Sequence, residues 1–129
     1  MIPKFRVWDE SIRYMDYRVR VTTTDDYIKV EVLDAFSDWR ELEERQYELM
    51  QSTGLKDKNG KEIFGGDIVE VSKGFTNIIC YSVNEGNWKL RPADKQWACS
   101  YFSNYENTAE WEIIGNIYEN PELLEATDD

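Results

Sequence analysis

The chain has 129 residues, 41% of them hydrophobic and 32% charged, with a formal net charge of −11 and a pI near 4.5. That length suits one domain or two small subdomains sharing a core. The charge argues against general nucleic-acid binding, which relies on Lys and Arg to displace phosphate counterions. With no histidine and only two cysteines, the chain has too few ligands for a zinc site of the Cys/His kind.

Taken in chain order, Lys4-Phe5-Arg6-Val7-Trp8 alternates polar and apolar residues, the pattern of a half-buried strand. Asp9-Glu10-Ser11 reads as a turn and Ile12-Arg13-Tyr14-Met15 as a returning strand. The polar run Thr22 to Asp26 reads as a loop. Tyr27 to Val32 reads as a strand with Ile28, Val30 and Val32 on one face and Lys29 and Glu31 on the other. Over residues 38–45 a short helix is expected, because Asp38 followed by Glu41 fits a capping box and Leu42 points inward. Gln46 to Gln51 reads as a further strand.

Asn59-Gly60 is a tight-turn signal, since both residues tolerate positive φ. Gly65-Gly66-Asp67 makes a second bend, which feeds the β-branched strand Ile68-Val69-Glu70-Val71. Phe75 to Val83 and Trp88 to Arg91 form a hairpin about Asn84-Glu85-Gly86-Asn87. Trp97 to Phe102 and Trp111 to Tyr118 are the last expected strands. Asn120-Pro121-Glu122 reads as a helix start, with Asn as cap and Pro at the first helical position. These elements predict a mainly β fold of small barrel-like or sandwich sheets with a short C-terminal helix. Two subdomains, about 1–50 and 51–129, fit the pattern.

No apolar run is long enough to cross a bilayer, and the segment Met1 to Phe5 lacks the apolar stretch of a signal peptide. A cytoplasmic location is expected, with Cys80 and Cys99 as reduced thiols; a disulfide between them stays open. Cys80 reads as a buried small hydrophobe.

Four glycines and three lysines between Thr53 and Gly66 suggest a phosphate-cradling loop, but the Gly-Lys-Ser/Thr ending of a P-loop is missing. Structural turns are the simpler reading. Asp57, Glu62 and Asp67 lie close enough in sequence for acid–base or metal chemistry. In a chain of 26 acids such neighbours are expected without function, and Asp67 reads as bracketing a turn. Without histidine the usual nucleophile–base pair cannot be assembled, and nothing singles out a Lys or Tyr base in its place, so no enzyme, cofactor or metal is expected.

Aromatics reach 14%, with five Trp and eight Tyr. Large rings serve cores and interfaces alike. Trp88, Trp97, Tyr101, Phe102 and Tyr105 lie among Lys89, Arg91 and Lys95, and residues 81–105 carry three bases against two acids. Three readings follow for this band: a ring-filled core, a protein interface, or a single-stranded nucleic-acid surface on which bases stack. Candidate partner-binding residues are Trp88, Lys89, Arg91, Trp97, Tyr101 and Tyr105. Residues 106–129 carry eight acids and no base. Such a block is a solvated tail or a docking surface for a basic partner.

Lys4-Phe5-Arg6-Val7-Trp8-Asp9 resembles the opening of YopX-family proteins. Leu49-Met50-Gln51-Ser52-Thr53-Gly54-Leu55-Lys56-Asp57-Lys58-Asn59-Gly60-Lys61-Glu62-Ile63, followed by Gly66-Asp67-Ile68-Val69, is similar to their signature. Glu112-Ile113-Ile114-Gly115-Asn116-Ile117-Tyr118-Glu119-Asn120-Pro121-Glu122-Leu123-Leu124 resembles their ending. Gly65 stands where the family more often has an acidic residue, and Ser52 where an aromatic is common. The resemblance implies a single YopX-like domain, a phage or prophage origin, a mostly β architecture and self-association. It implies no activity and no catalytic residue.

The functional expectation is a phage accessory protein in the bacterial host cytoplasm. It would bind another protein, its own copies or an unknown host or phage protein, with no membrane or nucleic-acid partner. Two alternatives stand beside it. One is an acidic DNA mimic that blocks a host nucleic-acid enzyme. The other is a single-stranded nucleic-acid-binding module.

Overall fold

The computed structural model describes residues 4–82, 86–92, 100–101 and 108–124. The chain divides into two compact units, residues 2–51 and 52–129. Both are built from short antiparallel strands, and the fold is mainly β as expected.

In the first unit, β1 (Phe5–Asp9) lies between β2 (Tyr14–Asp16) and the opening residues of β6 (Tyr47–Lys56). A second sheet has the order β3 (Val19–Thr23), β4 (Ile28–Leu33), β5 (Trp39–Glu41). Val7, Val30, Val32 and Leu42 form its buried core, with Val19, Tyr47 and Leu49 packed against them. β-branched side chains suit this role, because they are stiff and fit a pleated surface.

Three expectations for this unit are corrected. β1 is buried on both faces, since Arg6 and Trp8 are covered as fully as Val7 and Asp9. The Arg6 guanidinium is held there by donating to Met50 Sδ at 3.3 Å and to the Tyr17 hydroxyl at 3.4 Å. Thr22 and Thr23 belong to a strand, paired with Lys29 and Ile28, because threonine is β-branched as well as polar. The helix over 38–45 does not form. Asp34 closes a β-hairpin instead, its carboxylate accepting from the Phe36 and Asp38 amides at 2.8 and 3.0 Å. Trp39 to Glu41 then pair with Leu33 to Glu31, and the sheet satisfies backbone groups that a short helix would have left open. Leu42 does point inward.

In the second unit, the end of β6 pairs with β7 (Glu62–Phe64). A five-stranded, curled sheet follows in the order β11 (Ser100–Tyr101), β10 (Asn87–Pro92), β9 (Phe75–Ser82), β8 (Asp67–Ser72), β12 (Glu112–Asn116). Ile63, Val69, Ile79, Leu90 and Trp111 form its core, flanked by Val71, Trp88 and Ile113. The β9–β10 hairpin has the expected partners, Tyr81 with Trp88 and Ile79 with Leu90. The C-terminal helix is a single 3-10 turn, Pro121–Leu124. Asn120 does not cap it through its side chain: Oδ1 accepts instead from the Asn116 amide at 3.2 Å. Of the expected strand Trp97 to Phe102, only Ser100–Tyr101 lies among the described residues.

Candidate functional site

The glycine–lysine block is a structural clasp. Asp57 is buried, at 4% exposure. Its Oδ1 accepts from the Asn59 and Lys61 amides, both at 2.9 Å, and its Oδ2 from the Ile113 amide at 3.0 Å. Burial pushes this carboxyl up. Those three amides and the nearby Lys61 charge outweigh that effect and hold it below the usual carboxylate range. A phosphate loop would need the same N–H groups open to an anion, and here Asp57 occupies them. Gly60, at φ +79°, supplies the left-handed residue of the turn.

The other two carboxylates of that stretch are also bound within the fold. Asp67 Oδ2 accepts from the Phe64 amide at 2.8 Å, bracketing the bend as expected, and Glu62 accepts from the Ser52 hydroxyl. Among the described residues no group of three or more His, Cys, Asp or Glu side chains is placed to hold a metal.

The aromatic–basic band is divided by the alternation of β10. Trp88 and Leu90 face the core, where Trp88 meets Tyr81 edge-to-face with ring centroids 5.1 Å apart. Lys89 and Arg91 fall on the opposite face, and Tyr101 stands opposite Lys89 in register. The structure therefore does not gather Trp88 with Lys89 and Arg91 into one patch. Trp97, Tyr105 and Cys99 lie outside the described residues. Cys80 is half-buried rather than buried, with Sγ 3.6 Å from the Lys89 carbonyl oxygen.

Other rings lie at the surface. Trp8, Phe64 and Trp111 are buried, whereas Tyr14, Tyr17, Tyr27, Phe36, Trp39, Phe75 and Tyr81 are exposed. Five of these seven belong to the first unit. Phe36, at the tip of the β4–β5 hairpin, is 86% exposed.

A cleft of about 760 Å³ opens in the same unit, where β4 begins and β5 ends. Buried Leu42, half-buried Tyr47 and the exposed Tyr27 and Ile28 give it apolar walls. Asp26, Glu41, Glu43 and Glu44 line it as well, all exposed, and among the described residues none of the four carboxylates has a cationic or hydrogen-bonding partner. Burial and the charges of Glu44 and Glu41 push the Tyr47 hydroxyl up, so it stays protonated as a donor. Sequence reasoning missed this cleft. A signal was present: residues 34–50 hold six acids against two bases.

No helix among the described residues is long and apolar enough to cross a membrane. Of the acidic block at 106–129, Glu112 pairs with Lys58 at 3.4 Å and Glu119 accepts from Asn116 Nδ2 at 2.7 Å.

The family model for YopX protein matches residues 4–125. The chain is similar to the crystal structure of protein EF1440 from Enterococcus faecalis, at 29% identity and a TM-score of 0.61, over 96% of this chain and 99% of that one. No curated protein matches it. By the family match, the chain belongs to the YopX family.

Proposed function

We propose that this YopX-family chain is a phage accessory protein of the bacterial host cytoplasm that acts by protein–protein binding, its own copies included, and carries out no bond-making chemistry. The outward placement of rings in the first unit supports this reading most. Tyr14, Tyr17, Tyr27, Phe36 and Trp39 leave apolar surface exposed to solvent. Exposed aromatics of this kind are what protein interfaces bury. The carboxylates that acid–base chemistry would need, Asp57, Glu62 and Asp67, are bonded into turns and strands of the fold.

Size-exclusion chromatography with light scattering tests the self-association part. The expected result is a mass above the 15.3 kDa of one chain at micromolar concentration, returning to that mass in Phe36→Ser. A single-chain mass for the unaltered protein across the micromolar range rejects it.

A further inference from the structure

We infer that the cleft between the start of β4 and the end of β5 receives an arginine-bearing basic segment of a partner protein. The inference rests on the protein-binding reading and names the surface and the chemistry of the occupant. Three observations carry it.

The first is concavity with apolar walls. At about 760 Å³ the cleft falls within the range of roughly 300–1,000 Å³ in which proteins enclose ligands. Tyr27 and Ile28 remain exposed in it, although Val30 and Val32, on the same strand as Ile28, are buried.

The second is uncompensated charge. Several other carboxylates of this unit are paired with arginine within the fold. Asp9 meets Arg40 at 2.9 Å, Glu31 meets Arg20 at 2.9 Å, and Glu10 meets Arg13 at 3.2 Å. The four acids of the cleft have no such partner among the described residues, and Arg45, next in the chain after Glu44, is not among the lining side chains. Like charges crowded round an apolar hollow repel one another, and a cation entering the hollow relieves the repulsion.

The third is the neighbouring chemistry. On the same small sheet the Arg20 guanidinium lies 4.4 Å from the centre of the Trp39 ring and donates to both oxygens of Glu31, at 2.9 and 3.1 Å. A ring face and a carboxylate fork form the arrangement a planar guanidinium suits better than an ammonium. Tyr27 and Tyr47 line the cleft together with Glu41, Glu43 and Glu44, the same two residue chemistries, and no arginine is among its lining residues.

The test uses the full chain and a fluorescein-labelled peptide of alternating arginine and glycine, followed by fluorescence anisotropy at low and high salt. Binding is expected at low salt, weakening as salt rises. A matched lysine peptide is expected to bind less tightly. The double variant Glu43→Gln, Glu44→Gln should lose about tenfold in affinity. Glu110→Gln with Glu122→Gln removes the same charge from exposed positions outside the cleft and should change affinity less than about twofold. Equal losses in the two variants would show that net charge alone attracts the peptide, and would overturn the inference. So would absence of binding at low salt. Neither result touches the ring-mediated association, which the light-scattering comparison of Phe36→Ser reads separately.

Discussion

In the second unit, Ile63, Val69, Ile79, Leu90 and Trp111 close a five-member apolar core, and Asp57 ties the β6–β7 turn to β12 through three amides. In the first, four aliphatic side chains form one buried cluster, Trp8, Met15 and Met50 are buried as well, ion pairs such as Asp9–Arg40 and Arg20–Glu31 brace the strands, and five rings are exposed. The contrast separates two uses of similar residue types. Asp57 and Asp67 of the second unit accept backbone hydrogen bonds and serve folding. The carboxylates round the first unit's cleft accept nothing among the described residues, and Tyr27 beside them is exposed. Side chains that do not serve the fold are where a binding protein keeps its recognition.

The largest expected effect lies in the second unit's core. Leu90→Ala removes a fully buried side chain of the core cluster and should cost about 3 kcal/mol in urea unfolding. A cost below about 1 kcal/mol would show that this cluster does not carry the unit's stability.

Next in size is the clasp. Asp57→Asn keeps the shape but replaces a charged acceptor of three amides, with an expected loss of roughly 2 kcal/mol at neutral pH. The pH dependence has a definite sign. The Asp57 carboxyl is held below its ordinary value in the folded chain, so its contribution is complete above the unfolded value and is lost as pH falls through the folded one. The unaltered protein should therefore lose stability from about pH 4 downward more steeply than Asp57→Asn. Parallel curves would contradict the clasp. Asp9 is lowered too. Burial raises it, but the Ser11 and Arg40 hydrogen bonds outweigh that, so the variant keeps a residual slope in the same direction.

The second unit was the more legible of the two in the sequence. Asn59-Gly60, the Gly65-Gly66-Asp67 bend and the β-branched run Ile68 to Val71 state local geometry directly, because positive φ and stiff side chains leave few alternatives. The first unit depends on partners far along the chain. Val19 to Thr23 is a strand because β4 lies beside it, and its threonines give no apolar alternation to read. Asp38 and Glu41 mimic a capping box, yet Asp34 closes a hairpin that a local rule does not weigh. The cleft was missed for the same reason. The run Glu41-Leu42-Glu43-Glu44 was absorbed into the expected helix, and only the hairpin brings it beside Asp26, Tyr27 and Ile28. The β10 band shows the converse: residues adjacent in sequence part company once a strand sends alternate side chains to opposite faces.

The smallest expected effect on stability tests the central claim most directly. A variant carrying Tyr27→Ser, Phe36→Ser, Glu43→Gln and Glu44→Gln removes two exposed rings and two unpaired charges from the first unit. If these side chains serve a partner rather than the fold, its urea midpoint should match that of the unaltered chain or exceed it, since repulsion is relieved. A fall as large as that of Leu90→Ala would show that they hold the unit together, and would contradict the account.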